Sequence, residues 1–78
     1  MWHIRATRLI WNFKENGGLF EQSDSDQSWG SWSIKESDEE TEIYINSPTF
    51  GNLQGVIIEK FEKLWIKLPN ERTLMLSK

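Results

Sequence analysis

The chain has 78 residues, nine basic against twelve acidic side chains, a net charge of −3 and no cysteine. That length holds one domain and one core, and the missing cysteines exclude disulfides, thiolate metal sites and cysteine nucleophiles while fitting a reducing, cytoplasmic compartment. The acidic balance opposes a nucleic-acid partner, and no apolar run is long enough for a signal-peptide core or a membrane span. A core this small must rely on large side chains, which five tryptophans and four phenylalanines supply.

Trp2, Ile4 and Ala6 alternate in one phase and Leu9, Trp11 and Phe13 in the other, so two short strands are expected with a bend or bulge near Thr7 and Arg8. Asn16-Gly17 predicts a type I′ hairpin pairing Leu9 to Glu15 with Leu19 to Ser23. The polar stretch from Ser23 to Ser28 reads as a loop. Trp29 to Lys35 reads as a third strand, in which Trp32 and Ile34 alternate with Ser31, Ser33 and Lys35.

Ser37 to Glu40 forms an acidic turn, after which Ile43 and Ile45 point one way and Glu42, Tyr44 and Asn46 the other. Ser47-Pro48 ends that strand, and Thr49 to Gly55 reads as a connection. Thr73 to Ser77 is a last short strand after a Pro69-Asn70 turn. The segment 56–68 supports two readings. Ile57, Ile58, Phe61, Leu64, Trp65 and Leu68 fall on one helical face, giving an α+β alternative with a helix at about 55–68. As strands, Val56 to Ile58 form one, Glu59 to Lys63 turn, and Leu64, Ile66 and Leu68 face inward in the next.

The order of Trp2-His3-Ile4, Leu9-Ile10-Trp11-Asn12-Phe13 with Asn16-Gly17, Gly30-Ser31-Trp32-Ser33-Ile34, and Ile58-Glu59-Lys60-Phe61 before Leu64-Trp65-Ile66 resembles the small bacterial lipocalin-like domains of the calycin group. The resemblance spans nearly the whole chain and implies an all-β fold, a small antiparallel barrel or strongly curved meander sheet, with a binding rather than catalytic role. It favours the two-strand reading of 56–68. The chain is shorter than usual for that group and lacks the glycine before its first tryptophan, so the expected barrel has fewer or shorter strands. Such a barrel is filled by its own side chains, among them Trp11, Phe13, Trp32, Ile34, Ile43 and Ile45.

Little in the sequence points to catalysis. The only histidine, His3, lies near a terminus, and the serines sit in turns or on outward strand positions. Asp24-Ser25-Asp26 and Asp38, Glu39, Glu40 and Glu42 read as solvated turns, since neither has the glycine and closing glutamate of a calcium loop. Gly17-Gly18 lacks the following helix of a phosphate site. No cofactor or metal is expected.

The expected function is therefore non-enzymatic binding of a small apolar ligand or of a protein partner. Trp11, Phe13 and Trp32 are the ligand- or core-facing candidates. Trp65, Tyr44 and Lys67 are the outer-face candidates for a partner, including a second copy in a homodimer; a helix at 56–68 would instead bury Trp65. A small acidic inhibitor of a larger protein is the alternative, and single-stranded nucleic-acid binding through Trp65, Lys63 and Lys67 comes third.

Overall fold

Period-two alternation sustained along the chain becomes eight strands and no helix in a computed structural model that describes residues 2–5, 8–69 and 72–77. The strands are β1 (Trp2–Arg5), β2 (Leu9–Phe13), β3 (Gly18–Ser23), β4 (Gln27–Glu36), β5 (Thr41–Ser47), β6 (Gly51–Lys60), β7 (Lys63–Lys67) and β8 (Thr73–Leu76). Each pairs antiparallel with the next in chain order. The meander curls into a nearly closed barrel, whose two ends are joined by one residue pair: His3 and Ser77 exchange backbone N–H···O bonds of 2.8 Å each way. The connections β1–β2, β3–β4, β5–β6 and β7–β8 share one end, here called upper, and the other three turns share the lower end.

Directly paired residues share a face. The pairs Ile4–Trp11, Phe13–Leu19, Ile34–Ile43, Trp32–Ile45 and Leu64–Leu76 point inward. The buried core comprises Ile4, Trp11, Phe13, Leu19, Ile43, Ile45, Ile66, Leu68 and Leu76. Phe13 meets Trp11 and Trp32 edge to face at 6.4 and 5.6 Å, a favoured arrangement of aromatic quadrupoles. Trp32 is half-buried, and its indole N–H donates to the Lys14 carbonyl at 2.9 Å.

The structure bears out the favoured two-strand reading of 56–68 and corrects several other sequence expectations. Residues 56–68 form a hairpin, not a helix, and their inward side chains are Ile57, Leu64, Ile66 and Leu68, as the strand reading requires. The turn is tighter than expected, with only Phe61 and Glu62 between the paired Lys60 and Lys63. Residues 51–55 are not a connection. They belong to β6 and pair with β5 from Ser47–Gly51 to Thr41–Ile57, so ladder pairing overrides the low strand propensity of glycine and asparagine. β4 likewise begins at Gln27, inside the expected loop. Ile34 has the inward phase but is 45% exposed, because β4 runs past the packed core toward the acidic turn. Of the expected bend, Arg8 is a bend and Thr7 lies outside the described residues, as does Asn70 of the expected turn.

The type I′ turn expected at Asn16-Gly17 occurs instead in the β6–β7 hairpin. In β2–β3 the Lys14 N–H donates to the Gly18 carbonyl and the Gly17 N–H to the Lys14 carbonyl, with Gly17 at φ +89° while Asn16 keeps a negative φ. That is a three-residue loop, a type I turn closed by a left-handed glycine, and not type I′. Asn16 contributes through its side chain, whose Oδ1 accepts the Gly18 N–H at 2.9 Å. The type I′ turn is β6–β7, where Phe61 and Glu62 have φ of +55° and +62°. Neither residue is suited to that region, so the hairpin is held by its ladder and not by its turn.

Gly17→Val should therefore destabilise the protein by more than ~1 kcal/mol. Replacing Phe61 by Asn together with Glu62 by Gly should stabilise it by about 1 kcal/mol, a rise of roughly 4–8 °C in melting temperature for a domain of this size. Thermal melts of the two variants against wild type check both signs; an unchanged Gly17→Val melt contradicts the turn assignment.

Candidate functional site

On β3, Leu19 and Glu21 share the inward phase, while the aromatic Phe20 faces out and packs tilted against Trp29 with ring centroids 4.9 Å apart. A carboxylate is thereby carried into the barrel, where Glu21 is only 3% exposed. It is fully engaged. The Trp11 indole N–H donates to its Oε1 at 2.9 Å, the Ser47 hydroxyl donates to the same oxygen, and the Thr49 hydroxyl donates to Oε2. Burial alone would push the Glu21 carboxyl up, but the hydrogen bonds from Ser47, Thr49 and Trp11 outweigh it and hold the pKa below the ordinary value.

β4 lies between Glu21 and Ser47 in the sheet. Its inward positions at this level are small: Ser28, which pairs with Glu21, and Gly30. A Cβ at Gly30 would lie 2.0 Å from the Asn46 carbonyl oxygen, so only glycine lets β5 approach there and leaves the space through which the carboxylate reaches Ser47. The Ser47 oxygen in turn accepts the backbone N–H groups of Thr49 and Phe50, each at 3.1 Å. One buried charge thus fixes the β5–β6 connection.

That connection forms one wall of a cavity of about 580 Å³ at the upper mouth. Thr49, Phe50 and Leu53 line this side; Ile4, Leu9 and Trp11 line the opposite one, with Leu68 and Leu74 between them. Arg8, Ser23 and Arg72 are the polar residues at its rim. Phe50 is 59% exposed and meets Trp11 edge to face at 6.2 Å, forming a lip over the opening. Eight strands form and a cavity remains at the upper mouth, so the barrel is not filled by its own side chains as its length had suggested.

Of the expected ligand- or core-facing residues, Trp11 lines the cavity, whereas Phe13 and Trp32 pack beneath it and do not. The outer-face candidates are not one cluster. Trp65 does point outward, paired with Ile58 on one side and Met75 on the other, but it is half-buried and its indole N–H donates to the Lys60 carbonyl at 3.1 Å. Lys67 is exposed two residues along the same face. Tyr44 stands apart, since its row crosses β6 at Gln54 and that of Trp65 crosses at Ile58. The Tyr44 hydroxyl donates to the Glu42 carboxylate, and this bond raises the phenol pKa. The most exposed large apolar groups are Phe61, Trp29 and Phe50, and not Trp65.

Sequence reasoning missed Glu21, Phe50, Leu53, Leu68, Leu74 and both rim arginines. The signal for Glu21 was legible: between Leu19 and Ser23 the acid holds the inward phase and the aromatic the outward one. The others come together only when four upper connections converge. Among the described residues, no three His, Asp or Glu side chains are grouped as a metal cage. No protein-family model, curated protein or solved structure matches the chain.

Removing the carboxylate should be costly. Glu21→Ala strands the buried donors of Trp11, Ser47 and Thr49 and should lower stability by about 2 to 3 kcal/mol, with Glu21→Gln losing less. Because the carboxyl pKa is lower in the folded chain, its contribution is complete above the ordinary value of 4.5 and is lost as pH falls through the folded value. The gap in urea stability between wild type and Glu21→Gln should therefore narrow as pH falls below 4.5; a gap that stays constant as the pH is lowered contradicts the assignment.

Proposed function

We propose that this chain is a non-enzymatic, lipocalin-like binding domain that takes a small apolar molecule into the upper mouth of its barrel. The observation that carries the reading is the cavity of about 580 Å³ walled by Ile4, Leu9, Leu53, Leu68 and Leu74. Its volume lies within the roughly 300–1,000 Å³ of small-molecule sites, and its few polar groups sit at the rim, where they orient a ligand without reacting with it. His3 lies on the outer face of β1, paired with Asn12 and remote from this cavity in phase. A chain without cysteine fits action in the cytoplasm.

A neutral apolar dye such as Nile red should bind saturably, one per chain. Leu53→Trp, which fills the cavity, should weaken that binding at least tenfold with the melting temperature retained; Phe50→Ser, at the exposed lip, provides a second variant less exposed to misfolding. Absence of saturable binding to wild type overturns the reading.

A second reading rests on the outer row Ile58, Trp65 and Met75, with Val56 beside it, as the contact for a protein partner or a second copy of the chain. An aromatic anchor at the centre of such a contact contributes about 2 kcal/mol or more. Sedimentation across a wide concentration range should show wild type self-associating and Trp65→Ser shifted toward monomer. A wild type that stays monomeric removes the homodimer.

A further inference from the structure

The outer face of β4, β5 and β6 carries a second depression, separate from the barrel mouth. It has a volume of about 660 Å³ and lies over the paired row Trp32, Ile45 and Leu53, whose side chains turn inward and whose backbone forms its floor. Two outward rows wall it. Ser31, Asn46 and Asn52 form the upper row, and Ser33, Tyr44 and Gln54 the lower one.

The chemistry of these walls is uniform. Every one of the six side chains has a hydroxyl or a carboxamide, and among the described residues none that lines the depression is charged. The side chains of Ser31, Ser33, Asn46, Asn52 and Gln54 have no hydrogen-bond partner among the described residues, whereas the Tyr44 hydroxyl donates to Glu42 and so can only accept from a ligand. A carboxamide offers donors and an acceptor in one plane, and a hydroxyl offers both at one atom. All three strands are interior to the sheet, so their backbone groups are taken up in the ladder and no strand can be added here.

An aromatic plate borders the upper row. Trp29 is the next outward residue above Ser31 on β4 and is 62% exposed. Its indole leans over Gly18, the residue paired with Ser31, since a Cβ at Gly18 would lie 3.4 Å from the ring. Phe20 packs against it and holds it at this edge. From Trp29 to the row of Ser33 and Tyr44 is four residues of β4, roughly 13 Å.

We propose that this face binds a short neutral oligosaccharide, with one pyranose against the Trp29 indole and the following units over the two polar rows. A neutral sugar presents what this surface lacks and needs: an apolar C–H face for an exposed ring, and hydroxyls that both donate and accept for the carboxamides and serines. A phosphate backbone or an acidic glycan has no cation to meet in the depression, and Glu42 beside Tyr44 repels either.

The test titrates the full chain with cellotetraose, maltotetraose and chitotetraose by calorimetry and by backbone amide shifts, with oligogalacturonate and oligothymidylate as anionic controls. At least one neutral sugar should bind saturably, one per chain, with a Kd of about a millimolar or tighter and no dependence on salt. The shifted amides should be those of residues 29–33, 44–46 and 52–54. Trp29→Ala and, separately, Asn46→Ala/Asn52→Ala should each weaken binding at least fivefold while Nile red uptake and the melting temperature stay as in wild type, which separates this site from the barrel mouth. Binding of none of the three sugars overturns the proposal. Sugar binding that survives both variants, or that shifts amides elsewhere, overturns the placement, and tighter salt-sensitive binding of either anionic control overturns the neutral class.

Discussion

The burial of the Glu21 carboxylate is the constraint on which the upper half of the barrel depends. A charge taken out of water costs several kcal/mol unless its lone pairs are met. Here three side chains from two directions meet them: Trp11 on β2, and Ser47 and Thr49 at the end of β5 and just past it. Each donor is then fixed in place by the acceptor it serves. Ser47 passes the constraint on, because its oxygen holds the backbone of Thr49 and Phe50. The geometry of the mouth is therefore set by one polar network crossing beneath it, and Gly30 is the small residue that leaves the crossing open.

Trp11 and Thr49, which belong to this network, also line the cavity at the upper mouth. Phe13, Leu19, Ile45 and Ile66 belong to the buried core, and Trp32 packs against it, meeting Phe13 edge to face. Near Trp11 and Glu21 the inward positions Ser28, Gly30 and Ser47 are small and add little apolar volume. The space that remains opens upward between aliphatic walls. The seam contributes little to closure, since β1 and β8 are short and meet through His3 and Ser77.

Two local rules gave way to the ladder. Phe61 and Glu62 adopt left-handed backbone angles that asparagine or glycine would take more easily, because the pairing from Val56–Lys67 to Lys60–Lys63 leaves two residues to reverse the chain. Residues 51–55 form strand despite Gly51, Asn52 and Gly55, because β5 lies beside them for its whole length. In both cases the pairing is a sum over many residues, whereas the turn or propensity penalty falls on one or two.

Alternation by itself determined the strands that carry Trp11, Phe13, Ile43 and Ile45 and the inward direction of those side chains, because a side-chain period of two is a local property that needs no partner. The glycine at position 17 was likewise legible, since φ > 0 is a requirement of the turn alone. Only the tertiary structure decided that residues 56–68 pair as a hairpin, that Glu21 is satisfied and not merely misplaced in phase, and that Arg8, Phe50, Leu53 and Arg72 share one opening. These residues lie far apart in the chain, and what brings them together is the curl of the sheet, which places four connections at one end. Closure of that kind arises from twist and register summed over eight strands, and no single segment encodes it.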